Sequence, residues 1–213
     1  MNPGFEIKLT GDGSPTIYSP VFNATYRSQK GALQESMHVF IRNGLLQASD
    51  KFPALNILEV GFGSGLNCLL TLDHGKNTSI YYHAIEKFPL PETIYRNLNY
   101  DNDRLIKLHE AQWNVDVIID PQFTIHKTSS GIEDLELAKG YNLIYMDAFA
   151  PSAQKELWEK DTLKKLYDCL MPGGILVTFC AKGQFKRDLR SLGFAVEFPM
   201  GPPGKREMTR AIK

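Results

Sequence analysis

Short apolar runs alternate along this chain with stretches in helical spacing. Residues 57–60, 79–85, 123–126, 141–146, 175–180, 194–198 and 207–212 have the length and β-branched or aromatic content of strands. The clearest of them, at 141–146 (YNLIYM), is apolar almost throughout, as in a strand covered on both faces. Helical patterns fall between these runs, at 66–72, from about 91 to 98, at 103–113, at 154–157, at 161–170 and at 183–192. Strands alternating with helices predict an α/β fold, a doubly wound and mostly parallel sheet of seven strands with helices on both faces. The last strand follows a loop at 199–204 and is expected to run antiparallel.

The first fifty residues have a different pattern. Gly11, Asp12, Gly13 and Pro15 punctuate two short strand-like stretches at 6–9 and 16–18. From 32 to 47 the spacing becomes helical, with Leu33, Met37, Phe40, Ile41 and Leu45 on one broad face. The expected organisation is a small N-terminal cap over 1–50 and an α/β domain over 51–213.

Candidate chemistry concentrates where the first strand of that domain ends. Residues 56–67 read NILEVGFGSGLN, a strand, a glycine turn and a helix start. Glycines let backbone approach a ligand closely, and free N–H groups at a helix start favour electron-rich groups. A dinucleotide fingerprint needs a third glycine where this chain has Leu66, so that reading fits poorly. The pattern Glu59-x-Gly61-x-Gly63-x-Gly65 instead resembles the first motif of class I methyltransferases, which bind S-adenosylmethionine (SAM). A helix-start turn in some other α/β protein is the plainer alternative. The second strand ends in Glu86, where a carboxylate accepts the hydroxyls of a ribose; a surface pair with Lys87 is its structural alternative.

The fourth strand ends in Asp147-Ala148-Phe149-Ala150-Pro151. Strand ends at the carboxyl edge of a parallel sheet meet ligands, so Asp147 is expected to face the crevice of the glycine turn. A carboxylate there orients an amine nucleophile, accepts its proton or stabilises the charge developing on nitrogen. Phe149 offers a stacking face for a base lifted from its stack, and core packing serves equally well for it. No cysteine follows this strand, which disfavours a covalent route through a thiolate.

Composition changes the picture little. The 213 residues suffice for one sizeable core, and 43% hydrophobic with 23% charged content is that of an ordinary globular chain. No apolar run approaches bilayer-spanning length, and the N-terminus lacks a signal-peptide core, so a cytoplasmic protein without a membrane is expected. Cys68, Cys169 and Cys180 are isolated in apolar segments and read as reduced, buried thiols; five histidines show no ligand spacing, and no metal is expected. Net charge is zero, but residues 180–213 carry eight basic residues against three acids. That excess fits a phosphate-facing patch or a solvated helix face and basic tail.

Taken together, the turn at 61–67, Glu86-Lys87-Phe88-Pro89-Leu90, Gln112-Trp113, the Asp147–Pro151 run, Pro172-Gly173-Gly174 and Lys205-Arg206-Glu207-Met208 resemble the methyltransferase domain of the bacterial MnmC family. Tyr26 and the Leu33-x-Glu35 pair in the cap also fit, so the likeness runs from about residue 15 to 210. It implies a Rossmann-like class I fold and SAM-dependent N-methylation of 5-aminomethyl-(2-thio)uridine at the tRNA wobble position. By position it implies Asp147 as the catalytic carboxylate. Glu59, Gly61, Gly63, Gly65, Asn67, Glu86, Lys87, Tyr26 and Glu35 would surround the cofactor. Phe149, Pro151, Lys205 and Arg206 would face the tRNA. Ser129-Ser130-Gly131 departs from the pattern, because many SAM enzymes place an acid there; Ser130 and Glu133 are the available substitutes. No oxidase segment precedes Lys213, so a separate enzyme is expected to supply the aminomethyl substrate. Two other classes share the residues: an aminopropyltransferase of the polyamine-synthase type, and a non-catalytic RNA-binding module on this fold.

Overall fold

The computed structural model describes residues 4–75 and 77–213. Three short strands open it, β1 (Glu6–Leu9), β2 (Pro15–Ser19) and β3 (Ala24–Thr25), paired antiparallel in the order β1-β2-β3. A helical stretch follows without a break: α1 (Ala32–Ser36), a π-helical segment Met37–Leu45, and α2 (Leu46–Ser49). Gly44 lets this stretch lie close on the sheet, since a Cβ there would meet Val177 at 3.0 Å and Tyr145 at 3.2 Å. Ile17, Phe40, Ile41 and Leu45 join the core beneath the main sheet, so the first fifty residues share the domain's apolar interior.

The remaining elements are β4 (Ala54–Val60), α3 (Leu66–His74), β5 (Ser79–Ile85), α4 (Glu92–Tyr95), α5 (Asn102–Glu110), β6 (Asp116–Asp120), β7 (Phe123–Thr128), β8 (Tyr141–Met146), α6 (Lys160–Cys169), β9 (Leu170–Thr178), α7 (Gly183–Ser191), β10 (Ala195–Glu197) and β11 (Thr209–Ile212). Eight strands form one sheet in the order β10-β11-β9-β8-β4-β5-β7-β6. The central pairs β8–β9, β8–β4, β4–β5 and β5–β7 are parallel, and β11 runs antiparallel to β9, as the loop before it predicts. The pattern predicted seven strands; the eighth, β6, hairpins onto β7 at the sheet edge. Its run Asp116-Val-Ile-Ile-Asp120 is short and acid-flanked, with Ile118 exposed, so burial left no strong apolar signal there.

Neighbouring residues on each central strand serve opposite faces. Ile57, Leu143 and Ile175 pack toward α3 and the π-helical segment, whereas Leu58, Ile144 and Leu176 pack toward α6 and α7. Two covered faces explain why these strands read as continuous apolar runs rather than alternating ones. The strand expected from 175 begins earlier, at Leu170, so β9 runs through Pro172-Gly173-Gly174. Tyr141 pairs with Leu170 and Leu143 with Ile175, so the intervening residues bulge out, with Gly173 at φ 78°. No helix among the described residues is long and apolar enough to cross a membrane.

Candidate functional site

The carboxyl ends of β4, β5 and β8 meet at the glycine turn. Gly61 donates its N–H to the carbonyl of Ile85 at 2.9 Å, and Asp147 donates its own to Val60 at 3.0 Å, which ties the turn between the two neighbouring strands. Gly61 has φ 94°, and a Cβ there would lie 2.8 Å from the backbone oxygen of Asp147. Gly63, at φ 50°, passes under the Tyr26 ring, which a Cβ would meet at 2.9 Å. Both positions therefore need glycine, for conformation and for space.

A cleft of about 930 Å³, counted to its open mouth, lies over this turn. Gly61, Gly63, Glu86, Lys87, Tyr26, Asp147 and Phe149 line it, so half of the predicted site residues come together. Glu86 accepts hydrogen bonds from Gly63 N (2.9 Å) and Phe88 N (2.8 Å). A carboxylate has about four lone-pair sites, so it retains acceptor capacity toward the cleft. Burial pushes its pKa up, against those backbone N–H groups. Lys87 pairs with Glu133 rather than with Glu86. Ser130, Ile132 and Glu133 line the same end of the cleft, where the acid of the usual pattern is missing.

Other predicted residues stand behind the cleft or away from it. Glu59 is 0% exposed, and its carboxylate accepts from Asn67 Nδ2 (2.9 Å) and Tyr82 OH (2.8 Å). Asn67, equally buried, also donates to Asp147 at 2.8 Å, so it bridges the two acids. Gly65 caps α3 at φ 74°. Glu35 is buried, accepting from Ser28 N (3.2 Å) and from Lys205 Nζ (2.7 Å). Lys205 is thereby engaged internally, with its Nζ also 4.1 Å from the Phe179 ring centre. Arg206 is exposed and has no ion pair among the described residues. Pro151 does not line the cleft. Trp158 is buried and donates its indole N–H to the Phe149 carbonyl at 2.8 Å, steadying that loop.

Two contributors were not anticipated. Arg27, with a side chain only 3% exposed, pairs with Asp147, whose side chain is 4% exposed. Phe22 stacks on Phe149 with ring centres 4.5 Å apart, and Tyr26 meets the same ring edge-on at 4.8 Å. Both come from the cap, and no local pattern distinguishes a buried arginine on a short hairpin from an exposed one. Lys127 did have a signal. It follows Phe123 and Ile125 on the inward face of β7, is fully buried, and donates to the His109 carbonyl at 2.6 Å. His109 in turn contacts the Ser64 carbonyl at 3.1 Å, so this buried pair supports the glycine turn from below.

The acids are strongly perturbed. Burial, reinforced by the neighbouring Asp147, pushes Glu59 up to about 8, against the opposing pull of Arg27 and its two hydrogen bonds. Burial pushes Asp147 up to about 7, with Arg27 lowering it and Glu35 raising it. A folded chain then holds protons that the unfolded chain releases, from the ordinary value of 4.5 to about 8 for Glu59. Stability from this source is full below the unfolded pKa and falls as pH rises through the window. Glu59→Gln, which keeps the shape without the charge, is expected to flatten the fall in thermal midpoint between about pH 5 and about pH 9. Equal pH slopes in the two proteins would remove Glu59 as its source.

A cleft walled by apolar side chains, with a glycine turn, one carboxylate beside the turn's amide and a second at the tip of β8, suits a nucleoside-bearing ligand. A family model described as S-adenosyl-L-methionine-dependent methyltransferase matches residues 94–213. Over 95% of its length the chain is 33% identical to the tRNA 5-methylaminomethyl-2-thiouridine biosynthesis bifunctional protein MnmC of Cupriavidus necator, of which it covers 33%. It thus spans about a third of the length of the curated relatives it matches. Among solved structures it resembles MnmC2 from Aquifex aeolicus, with a TM-score of 0.81 and 25% identity over 98% of this chain and 70% of that one. Spermidine synthase from Thermotoga maritima aligns with a TM-score of 0.59 at 13% identity, over 98% and 78% of the two chains, a likeness of fold alone.

Proposed function

Because the chain belongs to the S-adenosyl-L-methionine-dependent methyltransferase family, we propose that it methylates the exocyclic amine of 5-aminomethyl-(2-thio)uridine at the tRNA wobble position. The observation that carries this is the Asp147 carboxylate, set at the tip of β8 in the same cleft as Gly61 and Gly63 and next to the Phe149 ring. The names of the bifunctional relatives support the choice of nucleoside.

SAM, when bound, supplies a methyl group made electrophilic by its sulfonium. Gly61 and Gly63 leave backbone open to the amino acid end of the cofactor, and Glu86 takes the ribose hydroxyls with its free lone pairs. Ile85, Ile132 and Leu157 provide apolar walls for the adenine. Asp147 Oδ2 accepts the proton of the incoming ammonium, or holds the amine by hydrogen bonding, so that its lone pair points at the methyl. Phe149, backed by Phe22, gives the uracil ring a flat apolar face worth about 1–3 kcal/mol. Pro151 fixes the turn after that ring.

The test is label transfer from SAM to tRNA bearing the unmethylated aminomethyl nucleoside, read by nucleoside mass spectrometry. A methylaminomethyl product supports the proposal. Label in any other nucleoside, or aminopropyl transfer from decarboxylated SAM in its place, moves the chain to another reaction.

For the tRNA backbone, Arg206 and Lys182 are exposed cations of the basic C-terminal segment, whereas Lys205 is committed to Glu35. Arg206→Ala is expected to weaken tRNA binding and to reduce the slope of log K against log salt by about 0.7–0.9 for each phosphate it no longer neutralises. Lys205→Ala should instead lower the thermal midpoint, because it strands the buried Glu35; with Lys205 34% exposed, the loss is discounted to about 1–3 kcal/mol. A Lys205→Ala protein with unchanged stability and a reduced salt slope would return Lys205 to the RNA-facing set.

A further inference from the structure

Among the described residues, Arg27 is the one guanidinium lining the cleft, at the end formed by Gly61, Gly63, Tyr26 and Asp147. It carries five N–H donors in a fixed planar fork. Its Nη1 is paired with the Asp147 carboxylate, and the fork carries further N–H donors beyond that one contact. The other described cation lining the cleft, Lys87, lies at the opposite end and is engaged by Glu133.

SAM differs from a simple nucleoside by its α-amino acid end, whose carboxylate must also leave water. With the ribose at Glu86 and the adenine toward Ile132, that end runs along Gly61 and Gly63 to the place where Arg27 waits. A carboxylate is the partner that a guanidinium fork matches in two parallel hydrogen bonds. We propose that Arg27 receives the α-carboxylate of SAM and selects SAM over ligands that lack it. In doing so Arg27 shares its charge away from Asp147, which leaves that carboxylate open to the ammonium of the second substrate. Cofactor then loads first, and the amine finds its acceptor only in the loaded protein. This inference rests on the family's use of SAM and is independent of which amine is methylated.

The test is titration calorimetry on the full chain with SAM, decarboxylated SAM and 5′-methylthioadenosine, which lacks the whole amino acid end. The wild type is expected to prefer SAM over decarboxylated SAM by about tenfold or more. Arg27→Met should erase that preference while leaving methylthioadenosine affinity within about twofold. Weakening of all three ligands alike, or a wild type that does not discriminate, would overturn the assignment. Should Arg27→Met fail to fold, Arg27→Lys decides: it keeps the charge without the fork, so the preference should shrink by about threefold or more, and an unchanged ratio is equally fatal. Methylation of tRNA by the wild type is scored separately, so loss of this inference leaves the proposed reaction standing.

Discussion

Asp147→Asn is expected to lower methyl transfer by about 10²–10⁴-fold while SAM still binds. Asparagine preserves the size of the side chain at the tip of β8 but can neither accept the amine's proton nor balance the charge growing on nitrogen. The Asp147 carboxyl is held at about 7 by burial against the Arg27 guanidinium, so only part of the free protein carries the ionised form near neutrality. Its kcat/KM should accordingly rise with pH through about 7, and the residual activity of the Asn variant should lack that limb. Single-turnover transfer from labelled SAM, compared with direct cofactor titration, separates chemistry from binding. Wild-type turnover in the variant would take Asp147 out of the mechanism and leave it as a turn cap.

Gly61→Ala is expected to remove both cofactor binding and transfer, with a loss of stability of about 1–3 kcal/mol from backbone strain alone. The position has φ 94°, and the added methyl would stand 2.8 Å from the Asp147 carbonyl oxygen and 3.3 Å from the Ala148 nitrogen. These are backbone atoms of the next strand's end, so no rotamer change relieves the clash. The chain must either push the end of β8 away, and Asp147 with it, or lift the turn into the space of the ligand. SAM affinity should fall by more than about tenfold, measured by calorimetry beside a melting curve. A folded Gly61→Ala protein that binds SAM normally would show that the turn does not approach the ligand.

The glycine turn and the acid after the fourth strand were legible because their meaning is local. Gly61 and Gly63 follow a strand within a few residues, and Asp147 closes the clearest apolar run in the chain. Glu59 shows the limit of such pattern reading. It occupies the place where a cofactor contact was expected, but it points inward and serves Asn67 and Tyr82 instead. Lys205 was likewise legible as a positive charge and not as the counter-ion of Glu35, 170 residues earlier.

From sequence alone came the alternation of strands and helices, the sheet's mostly parallel sense, and the two loops that line the cleft. These depend on periodicity and on backbone requirements, which neighbouring residues settle among themselves. Only the folded chain decided that Arg27 and Phe22 would descend from the N-terminal hairpin onto the cleft beside Tyr26, and which charges would pair with each other. Burial and pairing across long separations depend on what lies opposite, and a linear pattern carries no record of that.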